Sequence, residues 1–255
     1  MKRFVQRALV IFPFEEKLYE QEKIHVDFVG HPLLDLCQGT DDKEGILREN
    51  GFDPNRPTVA LLPGSRPNEV QSILPDLVSA ALLIRQRIPG VQFLIARAPD
   101  LDDRLFEPLL DLLAAGQSTV VLESQTDNVL KASDFVVTAS GTATVQAAIH
   151  GRPMVIVYRV SSVTYRLVRA FANVDAVGMV NLIAGRKIVP ELIQDVFTPQ
   201  AVCDEVVGFL LDPARAIKVC RELKIVREQL GCSGASRRAA ELVLSEAHRN
   251  HSPLP

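Results

Sequence analysis

The sequence predicts an α/β protein: a doubly wound parallel sheet, preceded by a separate βαβ unit and followed by helices. Three observations carry this. Between residues 58 and 172, short β-branched runs alternate with helical patterns in five successive units. The runs are apolar throughout, as strands covered on both faces are. Repeated βα units joined by right-handed crossovers give an open sheet with helices on both sides.

In chain order, "TVALL" (58–62) reads as a strand followed by a helix over 68–88, where Ile73, Leu77, Ala81 and Ile88 recur at helical spacing. Pro75 marks a kink or a first turn of that helix. "VQFLIA" (91–96) precedes a helix over 102–115, and "TVVLE" (119–123) a short one over 126–132. "DFVVTA" (134–139) leads into a helix that opens at Gly141–Thr142 and closes at Gly151. "PMVIVY" (153–158) is followed by a helical stretch over 162–172. Thr198 with Pro199 signals a helix start for 198–212, and helices over 213–230 and 235–248 follow. At the other end, "RALVIFP", "EEKLYEQE" and "HVDFVG" read as strand, helix and strand. The expected domains are therefore a βαβ unit over 1–36, a polar linker over 37–57, a Rossmann-like lobe over 58–230, and a C-terminal helix and tail over 231–255.

Composition excludes several classes. A formal net charge of −3 argues against a nucleic-acid partner, and no apolar run reaches the roughly 18 residues of a membrane span. The cysteines Cys37, Cys203, Cys220 and Cys232 form no C-x-x-C pair and read as packing thiols. There is no G-x-G-x-x-G, no G-x-x-x-x-G-K-[ST] and no G-x-S-x-G. "DLD" (100–102) reads as acids in a first helical turn, not as metal ligands. No metal and no cofactor is expected.

Two turns at strand carboxyl ends carry the chemistry. In "LLPGSRPNEV" (61–70), Gly64 and Ser65 allow close approach of a ligand, and the guanidinium of Arg66 suits a phosphate. Amides at the following helix start favour an anion. In "TASGTATVQAAIHG" (138–151), Ser140, Gly141 and Thr142 open a helix whose N-terminal amides fit a pyrophosphate, and Gln146 lies within reach of a ribose hydroxyl. The plain alternatives are an ordinary βα turn for the first and simple N-capping for the second. "YRVSSVTYRLVRA" (158–170) interleaves Arg159, Arg166 and Arg169 with apolar residues. It reads either as arginines snorkelling over an apolar face or as a surface for anionic headgroups. Spacing gives "NLIAGRKIVPELIQD" (181–195) no role.

Together, "LVIFPFEEKLYE", "VDFVGHPLLD", "LLPGSRPNEV", "ASGTATVQAA", "PMVIVYRVSSVTY" and "NLIAGRKIVPELIQD" resemble, in order and spacing over residues 8–245, the lipid-A-disaccharide synthase family. The resemblance implies a GT-B glycosyltransferase with two Rossmann-like lobes. Its donor is UDP-2,3-diacylglucosamine, its acceptor 2,3-diacylglucosamine 1-phosphate (lipid X), and its products a β-1,6-linked disaccharide and UDP. It implies a cytoplasmic enzyme, peripheral on the inner membrane. By position, Gly64, Ser65 and Arg66 and the Ser140–Thr142 helix start match the donor-phosphate site, and Asn181 a polar donor-site residue. Gln146 stands where such folds place a ribose-binding glutamate, and Val180 where the family has a proline. The catalytic base is expected in a first lobe of which residues 1–35 look like the last βαβ unit. On that reading the chain is a truncated copy or half of a split enzyme, partnered by a separate lobe or by a second copy. It binds UDP weakly and transfers little. Another UDP-sugar enzyme of the same architecture (a 2-epimerase or a peptidoglycan transferase), a non-catalytic nucleotide-binding module and a membrane-surface adaptor are the alternatives.

Overall fold

In a computed structural model the described residues are 5, 7–37, 42–114, 116, 118–159 and 178–250. They fall into two compact units, 1–39 with 225–255 and 40–224. In the first unit, strand β1 (Arg7–Val10) is followed by helix α1 (Pro13–Gln21) and strand β2 (His25–Phe28). The strands pair in parallel, with Arg7 opposite His25 and Val10 opposite Phe28. A short helix α2 (Leu33–Leu36) follows. The C-terminal helix α11 (Ala235–Asn250) belongs to the same unit. Its Arg238 donates from Nε to the Val29 carbonyl at 2.9 Å, and Arg7 bridges Asp27 and Glu246.

The larger unit begins with helix α3 (Lys43–Glu49), N-capped by Asp42, whose carboxylate accepts the Gly45 N–H at 2.9 Å. A helix therefore stands within the stretch read as a polar linker. The chain then runs through β3 (Thr58–Leu62), α4 (Pro67–Arg87), β4 (Gln92–Arg97), α5 (Leu109–Ala114), β5 (Thr119–Glu123), α6 (Thr126–Ala132), β6 (Phe135–Ala139), α7 (Thr142–Ile149) and β7 (Met154–Tyr158). After residue 177 come α8 (Met179–Ala184), β8 (Glu191–Ile193), α9 (Pro199–Leu210) and α10 (Pro213–Gln229). The boundary between the units falls inside α10. The six strands pair in parallel in the order β5-β4-β3-β6-β7-β8. This is the doubly wound order of a Rossmann-type sheet.

Every residue of β3 and β6 is buried, as uninterrupted apolar runs require. α4 lays Ile73, Leu77, Ala81 and Ile84 against the core without a break at Pro75. α9, started by Thr198 accepting the Ala201 N–H at 3.2 Å, adds Val202, Cys203 and Val206. Phe209 of the same helix meets Phe135 at a ring distance of 4.8 Å.

Two local expectations change and one is not tested. The helix read over 102–115 divides into a 3-10 turn, Asp103–Phe106, and α5, because Pro108 between them lacks an N–H. Asp102 caps that turn by accepting the Arg104 N–H. The sheet has a sixth strand, β8, which three residues were too short to signal. The helical stretch over 162–172 lies outside the described residues.

His150 ends α7 and meets Asp127 through Nε2, while Lys131 reaches the other oxygen of Asp127 at 2.7 Å. Burial pushes the His150 imidazole below its ordinary range, against the pull of Asp127. Burial pushes Asp127 up, but hydrogen bonds from Lys131 and His150 outweigh it and hold the carboxyl below its usual value. In both cases the unfolded chain binds more protons than the folded one, so acid is destabilising. Stability that His150 contributes above about pH 6.5 should be lost as pH falls through and below that value. Asp127 adds a further loss below the ordinary carboxylate range. Urea unfolding at pH 7.5 and 5.5 should show a drop in stability, and H150Q should make that drop smaller.

Candidate functional site

The site follows from the sheet order. β3 and β6 are neighbours, and Leu62 pairs with Thr138, so their carboxyl ends are level. From β3 the chain passes through α4 to β4 on one side, and from β6 through α7 to β7 on the other. The two connections diverge and leave a crevice, the place where open α/β sheets bind ligands. A cavity of about 260 Å³ lies there. Gly64, Ser65 and Arg66 form one wall, and Ser140, Gly141, Thr142 and Gln146 the other. Seven of the eight residues named from sequence thus meet in one cleft.

The walls differ in chemistry. Gly141 has φ +155° and ψ −158°, a conformation that side-chain-bearing residues rarely adopt. It turns the chain into α7 without a side-chain cap. The Thr144 N–H returns to the Gly141 carbonyl at 3.1 Å, and its hydroxyl donates to the same oxygen at 2.8 Å. Among the described residues, the amides of Thr142 and Ala143 have no acceptor. They are open to an anion, at the positive end of a helix.

α4 is different. Just ahead of its first turn, Glu69 Oε2 accepts the amides of Ser65 at 3.1 Å and Arg66 at 3.3 Å, while among the described residues the Asn68 amide has no acceptor. Two amides of this turn, those of Ser65 and Arg66, thus already have an anion, supplied in cis. The other oxygen of Glu69 accepts from Arg66 Nη1 at 2.9 Å. Glu69 is 15% exposed and Arg66 78%, so the carboxylate is fixed and the guanidinium sits at the rim. Gly64 has φ +122°, and a Cβ there would stand 2.6 Å from that of Glu69. The sequence placed Glu69 at the helix start and gave it no role. Its signal was the N3 position behind Pro67, the spacing of a capping box.

Asn181 is not part of this cleft's lining. It lies on α8, 1% exposed. Its amide nitrogen donates to the Val189 carbonyl and to Glu191, and its oxygen accepts the amides of Ile188 and Val189. It staples the loop that leads to β8. Val180 beside it is fully buried. Arg159 is also turned inward: it pairs with Asp76, donates to the Phe197 carbonyl and lies over the Phe197 ring at 4.8 Å. Arg166 and Arg169 lie outside the described residues.

The sheet order defines a Rossmann-like α/β protein with a cleft at the switch point of its strands. The profile of the family described as lipid-A-disaccharide synthetase matches residues 1–244. A lipid-A-disaccharide synthase of Geobacter sulfurreducens is 40% identical over 242 residues, covering 95% of this chain and 62% of its own length. The chain belongs to the lipid-A-disaccharide synthetase family, and it spans about 62% of that relative. Among solved structures, a UDP-GlcNAc 2-epimerase of Neisseria meningitidis bound to UDP-GlcNAc has a TM-score of 0.69 at 14% identity, over 94% of this chain and 62% of its own. WaaG, a glycosyltransferase of lipopolysaccharide biosynthesis, has a TM-score of 0.60 at 12% identity, over 92% and 61%. These likenesses are of fold, the GT-B kind.

Replacing Asn181 by Ala should strand two buried amides and a carbonyl, at a cost on the order of 3 kcal/mol. Urea unfolding measures it, and N181A should lose more stability than Q146A, whose side chain lines the open cleft.

Proposed function

We propose that this chain supplies the donor-binding part of a lipid-A-disaccharide synthase, a hexosyltransferase acting in lipid A biosynthesis. The donor is UDP-2,3-diacylglucosamine and the acceptor 2,3-diacylglucosamine 1-phosphate. One observation carries the reading: the open N-terminus of α7 faces Arg66 across a cleft at the switch point. Family membership supplies the substrates, and the fold neighbour bound to UDP-GlcNAc supports a UDP-sugar in such a cleft.

The diphosphate sits on the Thr142 and Ala143 amides with Arg66 above it, and Gln146 faces the ribose. The acceptor 6-hydroxyl attacks the anomeric carbon, the bond from that carbon to the diphosphate oxygen breaks, and UDP departs with the bonding pair. Charge then grows on the leaving diphosphate, where the α7 amides and Arg66 stabilise it. The hydroxyl proton goes to a general base. Glu69, the carboxylate of the cleft lining, is not that base, because its oxygens already accept from two amides and Arg66. The base therefore comes from outside this cleft. Asn181 serves the donor site through the loop it holds. Among the described residues no helix is long and apolar enough to cross a membrane. Peripheral attachment at the cytoplasmic face of the inner membrane suits the diacylated substrates.

Calorimetric titration with UDP tests the phosphate site. A charged hydrogen bond contributes about 1.5–3 kcal/mol, and solvent at the rim reduces that for Arg66. R66A should weaken UDP binding by about tenfold, or 1.4 kcal/mol. Equal affinities for wild type and R66A would remove Arg66 from the site.

A further inference from the structure

Glu69 lies in the cleft, yet it has the sign opposite to what an anion site wants. Two functions fit a carboxylate there. It could compete with the ligand, holding amides that a phosphate would otherwise take. Or it could build the wall that the ligand uses.

The geometry decides between them. Competition needs a side chain free to leave, and Glu69 is 15% exposed with its Cβ packed under Gly64, where no further atom fits. It holds the loop at three points: the Ser65 amide, the Arg66 amide and the Arg66 guanidinium. Arg66 is 78% exposed, and among the described residues its guanidinium bonds to this carboxylate. Without it a long side chain at the rim would sample many rotamers, and a ligand would have to order it on binding.

We propose that Glu69 is a positioning residue of the diphosphate site: it ties down the Ser65 and Arg66 amides and fixes the Gly64–Arg66 wall, so that the anion is taken by α7 amides with Arg66 pre-oriented over it. The inference rests on the diphosphate reading above. It adds that the Gly64–Arg66 turn is a structural wall and the α7 start the phosphate seat.

The experiment uses the whole chain. UDP is titrated into wild type, E69A, E69Q, R66A and the E69A/R66A double variant, with folding checked by circular dichroism. E69A should bind UDP about tenfold more weakly. E69Q, which keeps the shape and one acceptor, should recover part of the loss. In the R66A background, E69A should cost clearly less than it does alone, because both act through one group. Independently of any ligand, hydrogen exchange at the Ser65 and Arg66 amides should be faster in E69A than in wild type. Tighter or unchanged UDP binding by E69A, fully additive losses, or exchange at those amides no faster in E69A would overturn the proposal. If exchange is faster in E69A but wild type does not bind UDP, the diphosphate reading fails and the inference falls with it.

Discussion

The level ends of β3 and β6 are the constraint on which the cleft depends. Two neighbouring parallel strands that send their chains to opposite sides must leave a gap above the sheet. No side chain is needed to make it; the strand order alone does. That order depends on a core of uninterrupted apolar strands clamped by α4 and α9, whose facing residues are almost wholly excluded from water. The backbone thus makes the site, and side chains decide what it accepts.

What it accepts is set by an asymmetry between two helix starts. Each begins just past a strand end, after a glycine with positive φ. At one, a glutamate of the first turn takes the two amides just ahead of the helix; at the other, no side chain takes the Thr142 and Ala143 amides among the described residues. A helix N-terminus attracts an anion whether that anion is a ligand or the helix's own glutamate. Glycine at the turn is therefore weak evidence of a binding site; the state of the amides behind it is strong evidence. Here Glu69 answers that pull at one turn, while at the α7 start it is left unanswered among the described residues.

This explains what was legible in the sequence. Four of the five βα units, the strand of the fifth, the parallel sheet and the two turns all follow from local pattern, because buried strands and glycine turns have signatures within a few residues. β8 was not legible, since three half-buried residues carry no period. The break before α5 was written in Pro108 and hidden by apolar spacing that continues across it. The resemblance brought Asn181 to the donor site by position, whereas its surroundings are a loop it holds from within the fold. The burial that separates these two roles depends on contacts ten residues away, which no single stretch records.

Asn181 and Thr142 show how far hydrogen-bonding inventory goes in place of pattern. An amide side chain offers two donors and two acceptor lone pairs. All four positions of Asn181 are filled from its own loop. A ligand hydroxyl would have to break a bond that holds buried backbone, so direct recognition there costs more than it returns. Arg159, pinned to Asp76 and stacked on Phe197, is closed to a headgroup for the same reason. At the α7 start the count runs the other way: two backbone donors point at a cleft with no acceptor among the described residues. Hydrogen-bonding capacity left unused at the mouth of a crevice is what a fold leaves to its ligand.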